Sequence, residues 1–170
     1  IHFGPLINTA HRDSVAAYVD QAKTEGGTVL IGGRAPDDPA LAAGSYYLPT
    51  IIEGLPASSA VCREEIFGPV LVALKYSDEA NLIHQANDSV YGLAAGIWTQ
   101  DYRQALTLAK QLEAGTIWIN TYKKFAISTP FGGYKDSGLG REKGRQGIQA
   151  YMQQKSIYLG LDSTPMGWSQ

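Results

Sequence analysis

A handover repeated along the middle of the sequence narrows most sharply what this chain can become. Pro69 to Tyr76 is a near-continuous apolar run, and Asp78 stands where it can cap a helix with apolar positions Ala80, Leu82, Ile83 and Ala86. The order returns with Ala94 to Thr99, strand-like, then Asp101 as an N-cap, then Ala105, Leu106, Ala109 and Leu112 on one helical face ending at Gly115. Thr116 to Asn120 is the next β-rich run. Strands alternating with helices of this length predict an α/β fold, a mostly parallel sheet flanked by helices. Its crossovers are right-handed and its ligands sit beyond the carboxyl ends of the strands.

Upstream, Asn8 and Thr9 precede Val15, Tyr18, Val19 and Ala22 at helical spacing, and Gly26-Gly27 ends that helix. Thr28-Val-Leu-Ile, closed by Gly32-Gly33, predicts a short buried strand. Ala35 to Gly44 reads as a surface loop, and Tyr46 to Ile52 as a strand whose internal Pro49 assigns it to a sheet edge. From Thr121 to Gly140 the apolar period stops, and a loop this long inside a compact domain is functional or disordered. A short helix over 141–152 and a strand-like run, Ser156 to Leu161, follow. A terminal strand must find an edge to pair with, and an edge on another subunit satisfies it.

The 170 residues, 44% hydrophobic and 18% charged, suit one globular core, so one domain is the default. Lys and Arg total 14 against 16 Asp and Glu, a net charge of -2, which leaves no excess of cations to neutralise a phosphate backbone. Nucleic acid is not an expected partner. Cys62 is the single cysteine and the 3 histidines lie far apart, so neither an internal disulfide nor a structural metal is expected. No apolar run approaches the ~20 residues that cross a bilayer, and the first residues lack a secretory pattern. The expectation is a soluble, cytoplasmic protein with no membrane partner.

Two glycine-rich stretches imitate phosphate cradles. Gly133-Tyr-Lys-Asp-Ser-Gly138 has the glycine spacing of a Walker loop, but Leu139 and Gly140 stand where Lys and Ser or Thr must reach phosphate and magnesium. Gly138, Gly140 and Gly144, with Asp162 after the following run, imitate a dinucleotide fingerprint. The loop from Thr121 separates them from any strand, and their spacing is wrong by one.

A longer signal is Glu64-Glu-Ile-Phe-Gly-Pro-Val70, followed by Pro130-Phe-Gly-Gly-Tyr-Lys-Asp-Ser-Gly-Leu-Gly-Arg-Glu-Lys-Gly144. Gly4-Pro-Leu-Ile, Asn87 to Gly92 leading into Leu93-Ala-Ala-Gly-Ile, and Gly115-Thr-Ile-Trp-Ile-Asn120 join it in a fixed order. Over essentially its whole length the chain resembles the aldehyde dehydrogenase superfamily. The resemblance implies the C-terminal part of such an enzyme, with 1–154 the closing portion of the catalytic domain and 155–170 an oligomerisation arm and tail. Ser156 to Leu161 would then join subunits of a homo-oligomer, a dimer or tetramer. The implied reaction oxidises an aldehyde to a carboxylic acid with NAD or NADP through a cysteine thiohemiacetal. By resemblance that cysteine and the Rossmann domain lie before Ile1. The chain alone is therefore expected to be inactive and to bind cofactor weakly or not at all.

Residue by residue, the resemblance makes Glu65 the acid that accepts hydrogen bonds from the nicotinamide ribose hydroxyls, and Phe67 the ring lying against the nicotinamide. Taken without the motif, Glu64 and Glu65 are solvated charges and Phe67 is core. Tyr122, Phe125 and Phe131 would line the aldehyde tunnel. Lys123 and Lys124 beside them read either as selectors of an acidic substrate or as ordinary loop lysines. Glu142 is a candidate proton relay, or else a first-turn acid of the helix starting near Arg141. Cys62 is placed outside the chemistry, as an inert thiol. Two rivals stand beside the enzyme fragment. One is a non-catalytic assembly or binding module that retains the fold, and the other is a free-standing nucleotide-binding α/β domain on the 138–144 glycines.

Overall fold

Asn8 starts the first helix, α1 (Thr9–Thr24): its side-chain oxygen accepts the His11 N–H at 2.8 Å, a partner for one of the orphan donors of the first turn. Val15, Val19 and Ala22 recur at helical spacing and are fully buried, and the chain leaves the helix through Gly26 at φ 89°. The computed structural model describes residues 3–161 and Gly167, so Asp162 lies outside the described residues. The chain divides into two compact units, one ending at Ser89 and one beginning at Val90.

In the first unit, β1 (Thr28–Ile31), β2 (Thr50–Glu53) and β3 (Val70–Ala73) form one sheet in that order, β1 antiparallel and β3 parallel to β2. Side chains alternate across β2, so Thr50 and Ile52 are buried while Ile51 is exposed. Ile52 joins Val15, Val19, Ala22, Tyr47, Leu55 and Val61 in the core, and Val61 is supplied by a one-turn helix, α2 (Ala60–Arg63), capped by Ser59. The buried Thr50 hydroxyl donates to the Leu48 carbonyl and accepts the Gly33 N–H, each at 2.8 Å, so this hydroxyl is not stranded.

Two expectations fail in this sheet. β1 is not a buried strand: it is an edge, with Leu30 and Ile31 55% and 59% exposed, and only Val29 packs on the core. β2 is not an edge, since it lies between β1 and β3. Pro49 is tolerated because it precedes the ladder. The first N–H required is that of Thr50, which donates to the Pro69 carbonyl at 2.8 Å. Beyond β3, the Asp78 carboxylate accepts the Asn81 N–H at 2.9 Å and opens α3 (Glu79–Asn87), as the sequence predicts.

The second unit holds β4 (Tyr91–Gly92), β5 (Ala94–Ile97), α4 (Tyr102–Gln111), β6 (Thr116–Ile119), β7 (Tyr134–Lys135) and α5 (Gly144–Gln149). β5 and β6 pair in parallel through α4, and β4 pairs antiparallel with β7. Asp101 caps α4, accepting the Arg103 and Gln104 N–H groups at 2.9 and 3.1 Å. The α/β class and the strand–helix–strand order therefore stand.

The closing elements are shorter than expected. Helix α5 starts at Gly144 rather than near Arg141, because main-chain bonds from Glu142 to Phe131, 2.7 and 2.8 Å, hold the preceding residues extended. Glu142 is therefore not a first-turn acid. Among the described residues, Ser156 to Leu161 pairs with no strand, and Ile157, Tyr158, Leu159 and Leu161 are exposed.

Candidate functional site

After α2 the backbone extends at Glu64, and an extended chain sends successive side chains to opposite sides. The Glu64 carboxylate accepts the Tyr18 hydroxyl at 2.6 Å, tying it to α1, and Ile66 packs against the core. Glu65 is exposed and Phe67 is 74% exposed. Glu65 has no ion pair or hydrogen-bond partner among the described residues, so both carboxylate oxygens can accept.

Phe67 has φ 52°, a left-handed backbone that costs a non-glycine residue roughly 1–3 kcal/mol and persists only where its surroundings enforce it. The next residue shows what enforces it. A Cβ on Gly68 would stand 2.6 Å from the Val15 side chain, so only glycine lets the segment press against α1 at this point. Glu64, Ile66 and Gly68 anchor the segment, and Glu65 and Phe67 are presented to solvent.

Cys62, on α2, packs half-buried on the same core. Burial pushes its thiol above the ordinary value; a Ser59 hydrogen bond opposes the rise and the Glu25 carboxylate adds to it. Arg63, the neighbour able to lower it, is engaged by Asp88 at 2.8 and 3.2 Å. A thiol so placed is a weak nucleophile at neutral pH. A cleft of about 580 Å³ in this unit is lined by residues including Glu53, Lys75, His84 and Asp88, and includes neither Glu65 nor Phe67.

In the second unit the loop after β6 collapses onto Trp118, which is 8% exposed and donates its indole N–H to the Lys124 carbonyl at 2.8 Å. Tyr122 and Phe125 meet its ring edge-on at 5.1 and 5.3 Å, and Phe131 meets Phe125 edge-on at 5.1 Å. The three aromatic residues singled out in the sequence thus form one cluster. Tyr122 and Phe125 keep 57% and 49% of their surface open.

Two cations lie on this cluster, and the sequence pointed only to the first. Lys123 Nζ stands 5.7 Å from the Tyr122 ring centre; Lys143 Nζ stands 4.2 Å from that of Phe125 and 5.7 Å from that of Phe131. Lys143 escaped notice because it lies 12 positions beyond Phe131, and the hairpin that returns it has no hydrophobic period. Arg141 closes that hairpin, donating to the Gly133 and Gly140 carbonyls at 2.9 and 2.6 Å. Gly138 and Gly140, at φ 135° and 75° with open space where a Cβ would stand, shape the turn. Glu142 is exposed and is held beside the cluster by its main-chain pairing with Phe131.

A sequence profile described as the aldehyde dehydrogenase family matches residues 1–157. The chain belongs to that family. It is 43% identical over 156 residues to a betaine aldehyde dehydrogenase of Brucella anthropi, covering 92% of this chain and 32% of that protein. It is 46% identical over 156 residues to a 4-trimethylaminobutyraldehyde dehydrogenase of Rattus norvegicus, covering 91% of this chain and 32% of the relative. The chain thus spans about a third of the length of the curated relatives it matches. The fold superposes on a betaine aldehyde dehydrogenase of Staphylococcus aureus in complex with NAD+ with a TM-score of 0.94 at 38% identity, over 99% of this chain and 34% of that one. An aldehyde dehydrogenase of Bacillus cereus in its NAD+ complex gives a TM-score of 0.88 at 38% identity, over 95% of this chain and 32% of the other. Among the described residues of this family member, no helix is long and apolar enough to cross a membrane. No group of three or more His, Cys, Asp or Glu is placed to hold a metal ion among them either.

Proposed function

We propose that this chain supplies the nicotinamide-facing and aldehyde-facing surfaces of an NAD(P)-dependent aldehyde dehydrogenase that oxidises an aldehyde to a carboxylic acid. The observation that carries the reading is the Glu65–Phe67 pair, a carboxylate with unengaged acceptors and an exposed ring on a rigidly anchored segment. An acceptor carboxylate beside a flat apolar ring fits a ribose diol joined to a flat heteroaromatic ring. The solved relatives in complex with NAD+ support NAD as the cofactor.

In this reading Glu65 accepts from the two ribose hydroxyls and Phe67 limits where the nicotinamide sits. The cofactor, when bound, supplies the hydride acceptor. Tyr122, Phe125 and Phe131 wall the aldehyde and exclude water. Glu142 passes protons near the reacting carbonyl, and a cysteine outside this sequence attacks the aldehyde as a thiolate to form the thiohemiacetal. Residues 1–154 act as the closing part of the catalytic domain and 155–170 as the arm joining subunits. The exposed apolar side chains of 157–161, and of Ile51 and Leu71 on the sheet, suit surfaces that other protein covers.

The test is aldehyde-dependent NADH formation, followed at neutral pH in the whole dehydrogenase carrying this sequence and in the 170-residue chain by itself. The whole protein should turn over and the chain should not. Activity in the isolated chain would contradict a nucleophile supplied from elsewhere.

A further inference from the structure

We propose that Lys143 sets the charge of the substrate: the aldehyde taken by this enzyme carries a carboxylate at its far end. The inference rests on the reading of Tyr122, Phe125 and Phe131 as the aldehyde's walls. Each of those rings has an ammonium on it, Lys123 at 5.7 Å from Tyr122, and Lys143 at 4.2 Å from Phe125 and 5.7 Å from Phe131. Lys23 and Lys135 are paired with Asp20 and Glu113, whereas neither Lys123 nor Lys143 has an acidic partner among the described residues. Glu142, the neighbouring acid in sequence, forms no ion pair with Lys143. An ammonium laid on ring faces gives up part of its water and keeps its charge. A carboxylate is the ligand that completes it.

The backbone is a second observation. Lys143 has φ 59° and ψ 176°, a region that belongs essentially to glycine, and Lys123 has φ 53°. A turn needing only that conformation is better served by glycine, which reaches it without strain. Lysine at both positions, with both side chains returning to the same aromatic cluster, assigns the strain to placing charge there.

The opposite charge is disfavoured by the same contacts. Aromatic faces attract quaternary ammonium groups. Here the faces of Phe125 and Phe131 are already occupied by Lys143, so a trimethylammonio aldehyde of the kind named for the relatives meets repulsion where it needs attraction.

The test measures kcat/KM of the whole dehydrogenase for 5-oxopentanoate, hexanal and 4-trimethylaminobutyraldehyde, in wild type and in Lys143→Met, Lys143→Arg and Lys143→Glu. Wild type should prefer the carboxylate over the cation, and added salt should shrink the preference. The ratio should fall about tenfold or more in Lys143→Met, the worth of one charge-assisted contact, survive in Lys143→Arg and reverse in Lys143→Glu. A wild-type preference for the cationic aldehyde, or a ratio unmoved by Lys143→Met and Lys143→Glu, overturns the assignment. The wild-type ratio and its salt response decide the matter even where a variant does not fold. Hexanal keeps the two readings apart: its turnover without charge preference removes only the role of Lys143, and no turnover of any aldehyde removes the proposed function as well.

Discussion

Phe67 and Gly68 divide one task between them. Phe67 carries the strained φ of 52°, and Gly68 allows the close contact with Val15 that holds the strain. Replacing Gly68 by Ala inserts a Cβ 2.6 Å from a fully buried valine, which should destabilise the fold by about 1–3 kcal/mol, read as a lower urea midpoint. Loss of cofactor affinity should accompany it, because the displaced segment carries Glu65. Cys62 makes the opposite case. Its thiol is raised by burial above the ordinary 9.0, so the thiolate fraction is small at pH 7 and grows only as pH passes that raised value. Alkylation by iodoacetamide should be slower than that of a free thiol at pH 8, and Cys62→Ser should leave dehydrogenase activity intact. Complete loss of activity in that variant would return Cys62 to the chemistry.

The helices are fastened by single side chains at their starts, which makes their strength separable. Asn8→Ala should cost about 1 kcal/mol by thermal or urea unfolding, since it strands the His11 N–H. Asp78 adds a pH dependence to α3. The Asn81 N–H and then the Ser77 hydroxyl hold its carboxyl below the ordinary 3.8. A depressed folded value means the stabilisation is fully present above pH 3.8 and is lost as pH falls through the lowered value. An acid titration of far-UV circular dichroism should show this, and Asp78→Asn, which caps without a charge, should remove its share of the slope. Elements of this kind were legible in the sequence because a cap, an apolar period and a stop residue are all local. Strand position was not local. Pro49 pointed to an edge and Thr28 to Ile31 to burial, yet which strand is central depends on β3 arriving from Val70, which no nearby residue encodes. Similarly, Tyr122, Phe125 and Phe131 could be picked out by type, whereas Trp118 read only as part of a strand and Lys143 only as part of a glycine-rich tail.

At the scale of the whole molecule, this family member carries exposed apolar side chains in its C-terminal run. Ile157, Tyr158, Leu159 and Leu161 are at least 80% exposed, a run of backbone and apolar side chains without a partner strand among the described residues. Removing residues 155–170 from the whole dehydrogenase should lower its oligomeric state in sedimentation velocity; an unchanged sedimentation coefficient would show that subunits join elsewhere. The proposed contact between Glu65 and the nicotinamide ribose is tested without relying on turnover by isothermal titration of NAD+ into the whole dehydrogenase. Glu65→Gln, which keeps the shape and removes the charge, should weaken NAD+ by about tenfold or more while leaving the unfolding midpoint unchanged. Equal affinity in wild type and Glu65→Gln would contradict it, and would return Glu65 to the solvated surface.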